Sequence, residues 1–515
     1  MLSFLCFFEA LGAGFFPAAV SGEVVIVSNS GKSGFFARLS HPVALTEGTP
    51  WRVILRYAAP IILSYLLQQI YTLTDAIICG QVLPSQQIAG VNDIWPLTFI
   101  FLQFAFGCTA GFSVLTGNSA GRGDTRGVRR SFCAQVWLSL VISAVLTVLS
   151  IVLLPQLLGF IEVTPENPVI YQAAYDYCFY IFLGTAAQMG YNFICGVLRA
   201  YGDSVTPLLF LLISTVLNIV LDLFFLVTLR MGPAGAAIAT VLAQLLSCIG
   251  CVIYTFLRYP ELRPTRDDWK LRGAILSAHF RQGFPLGLQF SVLAIGVIIM
   301  QAAIVRFDLS PDGVMLPSAP AQNGFGAANK LHNFLSVFFN GLGAAILGFN
   351  AQNFGKGDYE RVRRGTLQTL LLMMIFYVVT LSVSLVLSVD GAYQYVFMSA
   401  DKVTAESIRY GNRFLYITQF LSFILGYLLV VRSAVQGIGG SAYVLGAGVA
   451  ELAARCLICG LLAPMLNGGT ISTNASLGIF TVVSLGHPGA WLAASLVLTV
   501  PLLRQIIGKR YRLRP

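Results

Sequence analysis

Charged side chains are scarce along this chain. They make up 10% of its 515 residues, where a soluble globular domain carries about 25%, and that shortage excludes a soluble globular fold. Histidine is nearly missing. Four are present, none clustered, so no histidine-based metal site is expected. No methionine follows Met1 until Met189, and the apolar opening MLSFLCFFEALGAGFFPAAV lacks the basic start of a signal peptide and is interrupted by Glu9. Residues 1–44 are therefore taken as an extension of unknown status, with a start site further downstream as the expectation. Ten cysteines occur, but the CxxC pairs Cys248/Cys251 and Cys456/Cys459 sit in apolar runs without a nearby histidine. Packing, not metal or redox chemistry, is their expected role.

Apolar residues fill the space left by charge. At 56% hydrophobic and a mean hydropathy of +0.77, the chain reads as a polytopic membrane protein of the all-α class. The net charge of +10 comes largely from Arg and Lys in short joints between apolar segments, which is the pattern of the positive-inside rule and not of a nucleic-acid binder.

From Trp51 onward twelve apolar segments are expected, at about 51–80, 91–116, 131–155, 170–198, 205–229, 235–257, 283–306, 325–350, 366–389, 406–431, 441–465 and 487–507. About twenty helical residues cross a bilayer, so each is long enough. A polar connector, 258–282, divides them into a lobe over 45–257 and a second lobe over 283–515. The joint TGNSAGRGDTRGVRR (116–130) returns as NAQNFGKGDYERVRR (350–364). Gly121, Gly123, Asp124, Val128, Arg129 and Arg130 recur at one constant offset as Gly355, Gly357, Asp358, Val362, Arg363 and Arg364, and Phe104 and Gly107 recur as Phe338 and Gly341. Repeats of six spans share one orientation, so the halves are related by an axis along the membrane normal, with a cleft between two six-helix bundles, as in parallel-repeat transporters. Most Lys and Arg lie in the joints after even-numbered segments and in the tail IIGKRYRLRP, which places those joints and the carboxyl terminus in the cytoplasm. The paired joints are expected to anchor helix ends and phospholipid headgroups.

Acids inside apolar helices are costly, about 2.5–3.5 kcal/mol near the bilayer centre, and so point to function. Asp75 lies in the first segment, which also holds Pro60. Asn218 and Asp222, four residues apart, share one face of the fifth, and Thr240 adds an oxygen from the small-residue stretch GPAGAAIATVLAQ in the sixth. An amide oxygen and close carboxyls can share a proton or coordinate a partly dehydrated cation. The second lobe offers no matching acid: aligning Pro60 with Pro285 puts Met300 at the place of Asp75. Its polar residues are Gln289, Gln301 and the i, i+4 pair Glu451/Arg455, read as a mainly structural ion pair.

Several stretches together resemble the multidrug and toxic compound extrusion (MATE) family of exporters: LTEGTPWRVILRYAAPIILSYLLQQIYTLTDAIICGQ, GRGDTRGVRR, LRAYGDSVTPLLFLLISTVLNIVLDLFFL with GPAGAAIATVLAQ, and GFPLGLQFSVLAIGVIIMQ. The resemblance runs from about residue 45 to the carboxyl terminus. It implies a twelve-helix, non-enzymatic transporter of the plasma membrane that exports organic cations, drugs or metabolites in exchange for H+ or Na+. No other cofactor is implied. By that resemblance Asp75, Asn218, Asp222 and Thr240 form the cation-coupling site, and Pro60 marks a bend of the first helix. The stretch SPDGVMLPSAPAQ departs from the family pattern, and a second-lobe sodium site lacks its acids. A lipid-linked precursor flippase is the alternative within transport; it wants a strongly basic cleft, and few intramembrane basic residues besides Arg455 are in view. An intramembrane prenyl transferase is a remote alternative, suggested by NIVLD, but only Asp222 is there to hold magnesium. The expected cargo is a lipophilic organic cation, the lipid bilayer the expected partner, and a monomer the expected state.

Overall fold

The structure is a computed structural model that describes residues 42–161, 163–399 and 402–508. Most of the 1–44 extension and the basic residues 509–515 lie outside the described residues. Within them the fold is α-helical, with one isolated β-bridge, Leu309 to Met315, in the stretch that departs from the family pattern.

Ten helices are long and apolar enough to cross a bilayer unbroken, and two further spans are bent pairs. In chain order the first lobe comprises α1 (Pro50–Val82), α2 (Trp95–Gly121), α3 (Thr125–Val152), α4 (Pro168–Leu183 and Thr185–Tyr201, bent by 46°), α5 (Val205–Thr228) and α6 (Pro233–Arg258). The second comprises α7 (Gly273–Asp308), α8 (Pro320–Lys356), α9 (Tyr359–Phe397), α10 (Ala405–Phe420 and Ser422–Gly437, bent by 49°), α11 (Ser441–Asn467) and α12 (Leu477–Ile507). Several spans open on proline, among them α1, α6 and α8, where the missing N–H is harmless and the fixed φ suits the first turn. Valines at 145, 148 and 152 of α3 stay exposed on one helical stripe, as a lipid-facing surface requires.

Several boundaries differ from the hydropathy reading: α12 begins at Leu477 and not 487, α9 runs on to Phe397, and two further shifts bear on the sites below. α7 begins at Gly273, because the amphipathic turn GAILSAHF is helical although its polar face hides it from a hydropathy window. α10 continues through Arg432 to Gly437, which moves that arginine from a joint into the bundle.

The duplicated joints fold alike. Gly123 (φ 70°) and Gly357 (φ 83°) adopt the left-handed conformation, and the next residue caps the following helix: Asp124 accepts from the Gly127 N–H and Asp358 from the Arg361 N–H. Each cap contributes about 1 kcal/mol. The lobes meet across a pseudo-twofold axis. A Cβ on Gly121 would collide with the Gln352 backbone and one on Gly355 with the Asn118 backbone, and these four residues are two repeat-related pairs. Deeper in, Gly107 lies against Leu286 and Gly287 of α7, while its repeat Gly341 lies against Ile62 of α1. Glycine at these positions lets α2 meet α7 and α8, and α1 meet α8, at backbone contact. The cleft is thereby shut on the side of the basic joints. Residues 43–48 help to seal it: Val43 N–H donates to Gly202 O at 3.0 Å, Asn353 Nδ2 to Leu45 O at 3.1 Å, and Arg361 Nη1 to Gly48 O at 2.5 Å.

Candidate coupling site

Asp75, Asn218, Asp222 and Thr240 come together on α1, α5 and α6. Asp75, Asp222 and Thr240 each lie about two turns from the end of their helix away from the basic joints, roughly 10 Å inside that face, and Asn218 lies one turn deeper. The 3.6-residue repeat stacks Asn218 and Asp222 one turn apart on the buried face of α5, where they are 1% and 0% exposed. Asn218 Nδ2 donates to Thr240 Oγ1 at 3.4 Å. The side chains of Asp75 and Asp222 face each other, and Tyr71, one turn before Asp75, lies beside Thr240.

What the site lacks is donors. Both carboxylate oxygens of Asp222, Oδ1 of Asp75 and Oδ1 of Asn218 are buried and accept no hydrogen bond from the protein. Burying an unpaired ionised carboxylate costs far more than any neutral group can offset. One proton held between the two carboxyls, or a small cation bound by these oxygens, removes that cost. Tyr71, Tyr177 of α4 and Cys79 surround the pair, and Leu83, Leu226 and Ala236 form an apolar cluster with Cys79 beside it. The tyrosines escaped sequence reasoning, since nothing in spacing marks two of the 20 tyrosines. α5 also opens into a π-helical turn over Leu223–Thr228, directly after Asp222; such wide turns favour functional sites. Pro60 lies buried inside α1, which stays helical from Pro50 to Val82.

The second lobe is built differently. Met300 is fully buried, and Glu451 and Arg455 are 3.5 Å apart. Glu451 is also claimed by Arg432 of α10 through a close ion pair, a residue that a hydropathy reading assigns to a joint. One buried acid thus faces two buried guanidinium groups. Nε and Nη1 of Arg455, Nε of Arg432 and both amide atoms of Gln289 have no partner. Here too a π-helical turn, Cys456–Leu462, follows directly. Among the described residues no group of three His, Cys, Asp or Glu side chains is placed to hold a metal ion.

The chain matches the MatE family model over residues 60–224 and 318–458, one stretch in each lobe and together more than half of its length. This protein belongs to the MatE family. It is 28% identical to the probable multidrug resistance protein YpnP of Bacillus subtilis over 62% of this chain and 68% of the relative. It is 24% identical to an FAD transporter of Shewanella oneidensis over 63% of this chain and 70% of the relative. Among solved structures, a MATE crystal structure in the bent conformation superposes with a TM-score of 0.76 at 19% identity, covering 91% of this chain and 98% of the other. An outward-facing multidrug resistance MATE transporter also superposes at 0.76, with 90% and 98% covered. As a MatE protein the chain is a multi-pass membrane transporter of a multidrug efflux family, not an enzyme, with twelve spans in two six-helix bundles.

Proposed function

We propose that this transporter exports lipophilic organic cations or metabolites in antiport with H+ or Na+, and that Asp75, Asn218, Asp222 and Thr240 bind the coupling ion. The observation that carries this reading is the set of buried oxygens with no donor between Asp75 and Asp222. An ion filling that gap favours one arrangement of α1 against α5, and its release favours the other, so occupancy biases the rocking of the lobes about the cleft. Pro60, which cannot donate a backbone N–H, lets α1 bend between the two arrangements. The basic joints and the carboxyl terminus face the cytoplasm, the sealed side is the inner one, and the unit is a monomer in the plasma membrane.

The test is efflux of a fluorescent organic cation from cells, with proton and sodium gradients collapsed separately, for the parent and Asp75→Asn. The variant should insert normally and lose gradient-driven efflux by at least ten-fold, while dependence on one gradient names the ion. Efflux at the parental rate from Asp75→Asn would sink the site assignment.

A second reading is favoured by one feature. Arg432 and Arg455 outnumber Glu451 in the second lobe, as a cargo bearing an anionic group, such as a dinucleotide or a lipid-linked diphosphate, would need, and one relative is an FAD transporter. Competition of the efflux assay by an anionic rather than a cationic compound selects this reading.

A further inference from the structure

On the basic-joint side a cavity of about 390 Å³ opens between the start of α3, the end of α2 and the first turns of α7. Arg122, Arg126 and Arg130 line it, with Ser119, Ser131 and His279 as its polar floor. Ser131 and His279 are each 3% exposed, and His279 Nε2 lies 2.8 Å from Ser131 Oγ, which joins the second lobe to the first at the bottom of the cavity. Among the described residues none of the three arginines makes an ion pair. Nε of Arg130 is buried without any partner. The one carboxylate in the lining, Asp124, is occupied as the cap of α3.

The repeat supplies an internal comparison. In the second lobe the position of Arg126 is held by Glu360, which pairs with Arg364 at 3.1 Å and Arg363 at 3.7 Å. There one carboxylate offsets part of the joint's basic charge, whereas the first lobe's joint carries a cation at the same position. Three arginines lining one cavity, hydroxyl groups and the positive end of a 28-residue helix suit a tetrahedral oxyanion with three or more acceptor oxygens. Ala274, Ile275 and Ala278 of α7 give the cavity an apolar wall at the level of a membrane surface, where acyl or glyceryl carbons would lie.

We propose that this cavity binds a phosphoryl group, either the headgroup of an anionic phospholipid or a soluble phosphate compound. The ligand would touch α2 and α3 of one lobe and α7 of the other, and so brace the sealed side of the cleft. The inference is independent of which ion or cargo the transporter uses.

Binding to the purified, delipidated full chain tests it, by thermal shift and native mass spectrometry. The probes are inorganic phosphate at constant ionic strength, and phosphatidylglycerol against phosphatidylcholine in mixed micelles. Arg126→Glu installs the residue type of the twin joint on an exposed position; Arg266→Glu in the connector makes the same charge change outside the cavity. The parent and Arg266→Glu should bind phosphatidylglycerol or phosphate at least ten-fold more tightly than Arg126→Glu. A shift with phosphatidylglycerol alone identifies the headgroup, and one with phosphate identifies a soluble ligand; either supports the site. Arg130→Gln serves as a second reporter should Arg126→Glu lower the ligand-free melting temperature. Equal binding by the parent and both cavity variants, or an equal loss in Arg266→Glu, would overturn the proposal.

Discussion

At the scale of single residues, the two lobes solve opposite electrostatic problems. Asp75 and Asp222 are acceptors without donors, and Arg432 and Arg455 are donors in excess of their one acceptor. Neutralising Glu451 would leave two guanidinium groups buried with no counter-charge, and breaking a buried ion pair from one side costs about 3–5 kcal/mol. Glu451→Gln is therefore expected to lower the melting temperature of the purified protein by many degrees. Replacing Arg432, Glu451 and Arg455 together with apolar residues of similar size should restore much of it. A triple variant as unstable as Glu451→Gln would show that the cost arises elsewhere. Asp75, Asn218, Asp222 and Glu451 were legible in the sequence because an ionisable or amide group in an apolar run announces itself. Arg432 was not, since a basic residue near a helix end looks like any positive-inside residue until the true length of α10 is known.

At the scale of elements, the joints and the connector decide how the helices are anchored. Asp268, in the connector between α6 and α7, is 1% exposed and ties that loop to α3. Burial alone would push its carboxyl up, but the Thr265 N–H and hydroxyl and the Arg129 guanidinium, at 2.7 Å, outweigh it and hold the group below the ordinary carboxylate value of 3.8. A group depressed on folding adds stability above its unfolded value and loses it as pH falls through the folded one. Asp268→Asn should thus cost roughly 2 kcal/mol near neutral pH. The gap in melting temperature between parent and variant should close as pH falls below 3.8. A gap that is constant from pH 7 to pH 3 would mean the carboxylate charge is not what holds the loop. The caps at Asp124 and Asp358 and the glycines before them were readable from the repeat. The π-helical turns after Asp222 and Arg455 were not, because a one-residue widening of a helix leaves the apolar pattern around it unchanged.

At the scale of the whole molecule, the twelve spans, the division into halves and their parallel relation follow from hydropathy and the repeated joint. What hydropathy could not show is which face of the cleft is shut, since that depends on backbone contacts at Gly121, Gly355, Gly107 and Gly341. Gly117 faces the Ala351 side chain across the seam, and a Cβ added there would lie 2.8 Å from it, so the two helices need part by only about 1 Å to reach the separation a disulfide spans. In a background without native thiols, Gly117→Cys combined with Ala351→Cys should cross-link on oxidation. Transport should fall to background and return with a reducing agent. Undiminished transport by the fully cross-linked protein would exclude opening of the seam as part of the cycle.

The depth of the facing carboxyls has an electrical meaning. On the proposed coupling, an ion entering from the unsealed side would cross only about 10 Å of protein before it meets Asp75 and Asp222, and the closely packed seam beyond them, from Gly107 to Gly121, would resist conduction. A membrane voltage falls mainly across the part that conducts least, so it is felt weakly by the ion as it loads and strongly by the lobes as they carry the loaded pair past the seam, at about 2.3 kcal/mol per charge per 100 mV. On the proposed coupling, polarising the membrane should change how fast the transporter turns over and hardly at all how often its site is filled.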